Sequence, residues 1–445
     1  MLAWISISSR FDVCSPVELE GLDRMSAPAI TRATVLRLYP NQQQASSLRR
    51  WQGVLRYVWN AALDCMFTSR DINGRWPTKA EIQTLIVGMK KMEGTEWISD
   101  IPAHALLTLA DDLHKALLNW FNSLSGKRKG PKIARPRFRG KFARQFSIYM
   151  VNQNTSFGEG QVKLPKLGLV KYRGGDLPSG RLLSSRVYRE ADKWYMASIF
   201  ECTAPEVNAA PVECVGIDMG LKTLATIYDG HSIREVPKLG ALRKHEQRLK
   251  RYQRRMSRRV KGSNRRNRAK LAIARLHQRI ANIRKDYAHK ATSEIVASAQ
   301  TIKVETLNVK GWAKNRSISK STADASVGMF LKMLRYKAAL AGRSLVEVGQ
   351  WEPTSKTCSD CGAREPGVVL GVSRWVCSAC GAIHDRDHNA AKNIYAYGEE
   401  RRNVTGNTVE SAWTGGDQAG AISPVPQVET RILKRATRES NRALA

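Results

Sequence analysis

Between Thr31 and Tyr39 apolar and polar positions alternate and the run stops at Pro40, which predicts a strand. From Asn41 to about Gly126 the period lengthens to that of a helix. Leu48, Trp51, Leu55, Val58, Ala62 and Met66 form one stripe and Leu106, Leu109, Leu113, Leu117 and Phe121 another, so 41–126 is expected to be a helical lobe able to fold on its own. Trp51, Trp59, Trp76, Trp97 and Trp120 all fall here, and side chains at helical spacing are expected to fill a core rather than stack on bases.

The pattern breaks at 125–144, where Gly and Pro make a loop. Its clustered Lys and Arg, among them Arg135, Arg137 and Arg139, interleave with Phe138 and Phe142 and suit phosphate contact plus stacking. Short strands are expected after it, including Arg186–Glu190 and Lys193–Cys202 around a turn at Ala191-Asp192. With the strand at 31–40 they would make a small β-barrel interrupted by the helical lobe. Val215 and Ile217 then bracket a buried strand ending at Asp218, Gly220 and Lys222 make a bend, and Leu224 to Tyr228 supply an antiparallel partner. Lys238 to Lys290 is a long helical stretch, with Gly262-Ser-Asn as a hairpin and Leu242, Leu249, Leu271, Leu276, Ile280 and Ile283 expected to hold two helices on a sheet. A further short strand ends at Glu305, and a helix is expected over Asn389–Tyr397. Residues 1–24 show no clear period and read as an extension before a second start at Met25. Beyond Gly398 the chain reads as a flexible tail.

Charge changes the picture. Among 445 residues, 73 Lys and Arg face 39 Asp and Glu for a net charge of +34, while 42% hydrophobic residues supply real cores. The length suits about two to four domains, and a folded polycation of this kind calls for a polyanion held through its phosphates. The sequence shows neither an apolar run of about 18 residues nor a leader pattern, so no membrane partner is expected. Arg254, Arg255, Arg258, Arg259, Arg265, Arg266 and Arg268 crowd the helical stretch, opposed by Glu246 and Asp286, and are expected to contact nucleic acid.

Two sets of residues carry chemistry. Cys358-x2-Cys361 and Cys377-x2-Cys380 lie fifteen residues apart with Gly362 and Gly381 after the pairs, the spacing of two knuckles gripping one structural Zn2+. Cys14, Cys65, Cys202 and Cys214 have no framework spacing, which points to a reducing cytoplasm. The second set is Asp218 and Glu305 at two strand ends with Asp387 or its rival Asp385 at a helix start, where an N-cap is the plain alternative. Three such carboxylates are what a two-metal phosphodiesterase needs: hard oxygen ligands for two Mg2+ ions, for which Mn2+ can substitute. His384 and His388 read as structural, since thiolates already fill the zinc and Mg2+ prefers oxygen.

Ile217-Asp-Met-Gly-Leu-Lys, Val304-Glu-Thr-Leu-Asn-Val-Lys, the two CxxC pairs and Asp385-Arg-Asp-His-Asn-Ala-Ala-Lys-Asn-Ile resemble the RuvC-type motifs and zinc ribbon of the TnpB family. The resemblance extends to Arg37-Leu-Tyr-Pro, Arg56-Tyr-Val-Trp-Asn60, Arg135-Pro-Arg-Phe-Arg139 and Lys163-Leu-Pro-Lys-Leu-Gly168, and so covers nearly all of 31–397. It implies an α+β multidomain protein. A wedge-like β-barrel (25–40 and 127–211) would be interrupted by a helical recognition lobe (41–126) and precede an RNase H-like (RuvC) nuclease domain (212–357 and 381–397) with an inserted zinc ribbon (358–380). It also implies Asp218, Glu305 and Asp387 as the metal-binding catalytic triad, a guide RNA from the transposon end, target double-stranded DNA, a transposase encoded nearby, and the nucleoid of a prokaryotic cytoplasm. The implied activity is RNA-guided DNA cleavage beside a short target-adjacent motif. A guided binder that represses without cutting, a compact type V CRISPR effector and a DNA transposase are the alternatives. The carboxylate set is intact, which speaks against the binder.

Overall fold

The computed structural model describes residues 29–128, 130–140, 146–204, 208–368 and 371–398. The N-terminal extension, Phe142 and the tail beyond Gly398 lie outside them. The first half opens with strand β1 (Ala29–Tyr39) and continues into helices α1 (Gln42–Asn73), α2 (Lys79–Met89) and α3 (Ala103–Leu124). Asn41 caps α1 with a reciprocal Gln44 bond, and Gly74, in the left-handed region, ends it. Both expected stripes are real: all six α1 positions are buried, as are the first four of α3, with Phe121 half-buried.

Strands β2 (Ile148–Met150), β3 (Ser156–Gly158), β4 (Gln161–Leu164), β5 (Gly168–Arg173), β6 (Arg181–Glu190) and β7 (Lys193–Thr203) follow. They form with β1 a seven-stranded sheet in the order β2-β6-β7-β1-β5-β4-β3, with antiparallel pairing throughout the described strands. The Ala191-Asp192 turn joins β6 to β7 as expected, with Ala191 at φ 54. The helices are not separate from this sheet, however. Leu48, Trp51 and Leu113 share one core cluster with Ile148, Val162, Val187, Trp194 and Met196, so the helical segment and the strands have a common core.

The second half is built on a five-stranded sheet. Strands β8 (Val212–Asp218), β9 (Thr223–Tyr228) and β10 (Ile233–Pro237) make an antiparallel meander, and the bend after β8 closes through the Gly220 N–H to the Leu224 carbonyl. Helices α4 (Ala241–Ser257) and α5 (Asn264–Ser298) lead to β11 (Ala299–Glu305), which lies parallel beside β8. Helices α6 (Val309–Lys314), α7 (Ser319–Ala325) and α8 (Val327–Leu340) lead to β12 (Ser344–Val348), parallel beside β11. The order is β10-β9-β8-β11-β12. Strands β13 (Arg374–Val376) and β14 (Ile383–Asp385) form a small ribbon, and helix α9 (Arg386–Tyr395) closes the domain. It begins three residues earlier than the sequence pattern indicates.

The α4–α5 pair corrects one expectation. Leu249, Ile273, Leu276 and Ile280 form a core of their own with Leu242 and Ile283 packed on it, so these residues hold the helices to each other and not to the sheet. Only the far end of α5, through Ala288, Ala291, Ile295 and Val296, joins the sheet core with Phe330 and Leu334 of α8. The nearer part of α5 reaches the first half instead: Arg275 pairs with Asp192 at 2.6 Å, and Gln278 Nε2 donates to the Tyr195 hydroxyl at 3.0 Å.

Candidate active site and nucleic-acid interface

Asp218 and Glu305 are the last residues of two adjacent parallel strands, so the sheet delivers both carboxylates to one end. Val304 pairs with Ile217, one residue before each. The backbone N–H of Met219 donates to Glu305 Oε1 at 3.3 Å and fixes that side chain across the gap. Helix α9 brings the third carboxylate, and its first turn separates the two rivals. Asp385 is the N-cap, accepting from the N–H groups of Asp387 at 3.1 Å and His388 at 3.3 Å. Asp387, in the first turn itself, is close enough to disfavour ionisation of both Asp218 and Glu305.

Burial, with Glu305 and Asp387 beside it, pushes Asp218 well above the ordinary carboxylate range. Burial likewise raises Glu305 to about 7, against the pull of the Met219 N–H. Arg386, half-buried, is the cation that acts on both. A cation beside these carboxylates would favour their ionised form, and an all-oxygen donor set suits hard divalent ions.

Close approach of α9 to β8 makes this geometry. A Cβ on Gly216 would lie 2.4 Å from the Ala391 carbonyl oxygen and 2.4 Å from the Tyr395 nitrogen, so any larger residue there would push the helix, and Asp387 with it, off the strand. Ala390 and Ala391 are fully buried at that contact. At the other end Lys303 of β11 donates to the carbonyls of Tyr395 at 2.6 Å and Tyr397 at 2.8 Å, a buried cation on the helix C-terminus. Sequence pattern alone does not mark Gly216, Lys303 or Arg386 as parts of the site. The available signal is Gly216 itself, two residues before Asp218 in a run of otherwise bulky buried positions.

The four cysteines converge as expected. Their sulfurs all lie within 4.8 Å of one another, with Cys358–Cys380 at 3.7 Å and Cys361–Cys377 at 3.6 Å. Tetrahedral Zn–S bonds of about 2.3 Å put sulfurs about 3.8 Å apart, so the set fits that ion. Each knuckle turns at its glycine, Gly362 with φ 79 and Gly381 with φ 74. His384 is buried, 3.0 Å from Cys358 Sγ through Nε2, and tilted against Trp375. His388 points elsewhere and bonds Glu235 at 3.1 Å.

The arginines divide. Arg254, Arg255, Arg258 and Arg259 line an open groove along α4 with Gln247, Lys250 and Arg251, and Arg265 and Arg268 line a second beside Tyr252. Arg266 does something different: its Nη1 donates to the carbonyls of Met256 and Arg259, both at 2.9 Å, closing the C-terminus of α4. In the 125–144 loop Arg139 lies over Trp59 and Phe146, its backbone bracketed by Asn60, and burial lowers its pKa. Arg135 covers Phe67, and the Arg137 carbonyl accepts from Trp59 Nε1 at 3.1 Å. Residues 135–139 are thus clamped onto α1, leaving Phe138, 53% exposed, at the edge.

A family model described as a probable transposase matches residues 198–316, a Cas12f1-like TNB domain matches 328–394, and a helix-turn-helix domain matches 25–68. In the structure the described part of that last stretch is strand β1 and one long helix. A protein of Streptomyces pristinaespiralis named "Putative RNA-guided DNA endonuclease" is 33% identical over 376 residues, spanning 83% of this chain and 90% of that protein. The chain belongs to the TnpB family. A second relative, InsQ of Escherichia coli K12, with the same description, is 28% identical over 82% of this TnpB chain and 92% of its own. The solved Cas12f1–sgRNA–target DNA complex aligns over 82% of the TnpB chain and 99% of its own, with TM-score 0.48 and 12% identity, too loose a likeness to carry detail.

Proposed function

We propose that this TnpB protein is an RNA-guided DNA endonuclease that hydrolyses target DNA at Asp218, Glu305 and Asp387. The observation that carries the reading is placement: Asp218 and Glu305 end adjacent parallel strands, and Asp387 lies in the first turn of the helix packed on β8 at Gly216. The sheet order, three antiparallel strands followed by two parallel ones, with acids on the first and fourth strands, supports an RNase H-like reading of this domain. The three carboxylates would hold two Mg2+ ions, which supply a nucleophile at neutral pH and steady the leaving oxygen. The residues themselves set position. Strand pairing fixes Asp218 against Glu305, the Met219 N–H orients Glu305, and the Asp385 cap holds the first turn of α9 in place. The cysteines would hold one Zn2+, and the α4 groove would hold the phosphates of a guide RNA transcribed from the transposon end or of its duplex with target DNA. A transposase encoded nearby would be the mobile element's other component.

The raised carboxylates predict a pH dependence. Because the folded pKa of Glu305 lies near 7, above its unfolded value, the metal-free fold is favoured by the protonated form; that contribution is full at acid pH and lost as pH rises through 7. Mg2+ should therefore raise Tm more at pH 8 than at pH 5.5. Melts in chelator and in Mg2+ at both pH values check this, and an equal shift at both would contradict it.

The functional test is cleavage by protein purified with its RNA, after sequencing that RNA, on plasmids with and without the matching site. Cutting of the matched plasmid alone, in Mg2+, is expected; joined rather than hydrolysed ends would favour the transposase reading. Replacing Arg254, Arg255, Arg258 and Arg259 with Gln should weaken RNA binding and flatten its log K against log salt slope by up to about three, since each phosphate left without its arginine keeps roughly one counterion. Target discrimination should stay the same, because phosphate contacts position without specifying. An unchanged slope would place these arginines in solvent.

A further inference from the structure

The turn after β12 carries the most exposed large hydrophobic side chain among the described residues, Trp351 at 89%. The other described tryptophans are packed or partly packed; the next most exposed, Trp97 at 39%, leans edge-on against Tyr57. The backbone under Trp351 is well held. Upstream, Val348 pairs with Glu305, and its carbonyl accepts from Thr306 at 2.9 Å. Downstream, the Glu352 N–H closes a turn on Gly349 at 3.2 Å, Lys356 and Thr357 both donate to the Pro353 carbonyl, and the Thr354 and Thr357 carbonyls are gripped by Asn389 and Asn393 of α9. The ring therefore stands on a short bridge from the strand beside Glu305 to the helix that carries Asp387. Three residues past Val348 is at most about 11 Å of chain, which keeps it at the sheet end where the carboxylates meet.

We propose that Trp351 is a positioning residue: it stacks on a nucleobase of the DNA strand lying across the carboxylates and so sets the scissile phosphate over them. The inference rests on the nuclease reading above. An indole on a fixed turn offers a large apolar face at small entropic cost, and every base has a face to meet it. Such stacking is indifferent to sequence, which suits an enzyme whose target is chosen by pairing with RNA.

The test uses full-length protein loaded with its guide. Trp351→Ala should slow single-turnover cleavage about tenfold, within the range that loss of one stacked base gives, while Trp351→Tyr retains most of the rate. Guide-RNA affinity and zinc content should not change. Independently of cutting, 2-aminopurine placed in turn at the bases flanking the cut site should be quenched at one position in an Asp387→Ala complex. The quench should be relieved when Trp351→Ala is added. Equal rates and equal fluorescence with and without the indole would overturn the proposal, as would a rate loss accompanied by loss of zinc, which would make the residue part of the ribbon's fold. Wild-type protein that binds target but cuts nothing would overturn the nuclease reading, and the fluorescence would still decide for or against stacking.

Discussion

Alanine at Asp218, Glu305 or Asp387 is expected to abolish guided cleavage in Mg2+ while leaving guide and target binding nearly intact. Loss of a residue that merely orients a metal ligand costs roughly 10–100-fold, and loss of a ligand itself should exceed that, to about a thousandfold or more. Binding should survive because the arginines of the α4 groove lie on a separate hairpin with its own core. The informative control is Asp385→Ala. Asp385 accepts two helix N–H groups, so its loss should cost about 1 kcal/mol of stability through the cap but keep cleavage within about tenfold. Rates of plasmid cutting and filter binding for the four variants check this. If Asp385→Ala is dead and Asp387→Ala cuts normally, the roles assigned to the two aspartates are reversed.

These roles show where sequence reasoning reaches. Strand ends, helical stripes and the cysteine spacing are local patterns with fixed periods, so β1, α1, α3, the β6–β7 hairpin and both knuckles could be read directly. The placement of Asp218 and Glu305 at strand ends could be read because each closes a short apolar, β-branched run. What failed was long-range. Whether Leu249 and Ile280 face the sheet or each other depends on how far α4 and α5 project beyond it, and a stripe of leucines has the same period in either case. The shared core of helices and strands in the first half was hidden for the same reason: the stripe of α1 says that a face is buried, not against what. Charge density could not tell Arg266 from its neighbours either, since its role follows from the hairpin turn that points it at the carbonyls of Met256 and Arg259. Gly216 looks like one glycine in a strand until α9 lies across it.

The ribbon is expected to control the active site through two asparagines, and removing its zinc should disable cleavage at a distance. Asn389 Oδ1 accepts from the Ser359 N–H at 2.8 Å, next to Cys358, and its Nδ2 donates to the Thr357 carbonyl at 2.7 Å. Asn393, one turn on and on the same face, donates to the Thr354 and Thr357 carbonyls, both at 2.6 Å. The first knuckle is thus bonded to the helix whose first turn presents Asp387, seven residues beyond Cys380. Burial raises the Cys358 thiol, so its thiolate is favoured only with a cation beside it. Bound Zn2+ contributes on the order of 10 kcal/mol to small structural modules, more than the ribbon's few buried side chains, Val368 and Trp375 among them, can supply. Cys358→Ser or Cys380→Ser should therefore lose zinc, open the ribbon and lower cleavage about as severely as loss of Asp387. Asn389→Ala separates the two effects: it should retain one zinc per chain by metal analysis yet slow cleavage, because a buried donor–acceptor tie worth about 1–3 kcal/mol no longer fixes the helix to the knuckle. Active wild-type protein without stoichiometric zinc would refute the metal assignment, and Asn389→Ala cutting at the wild-type rate would refute the coupling while leaving the zinc in place.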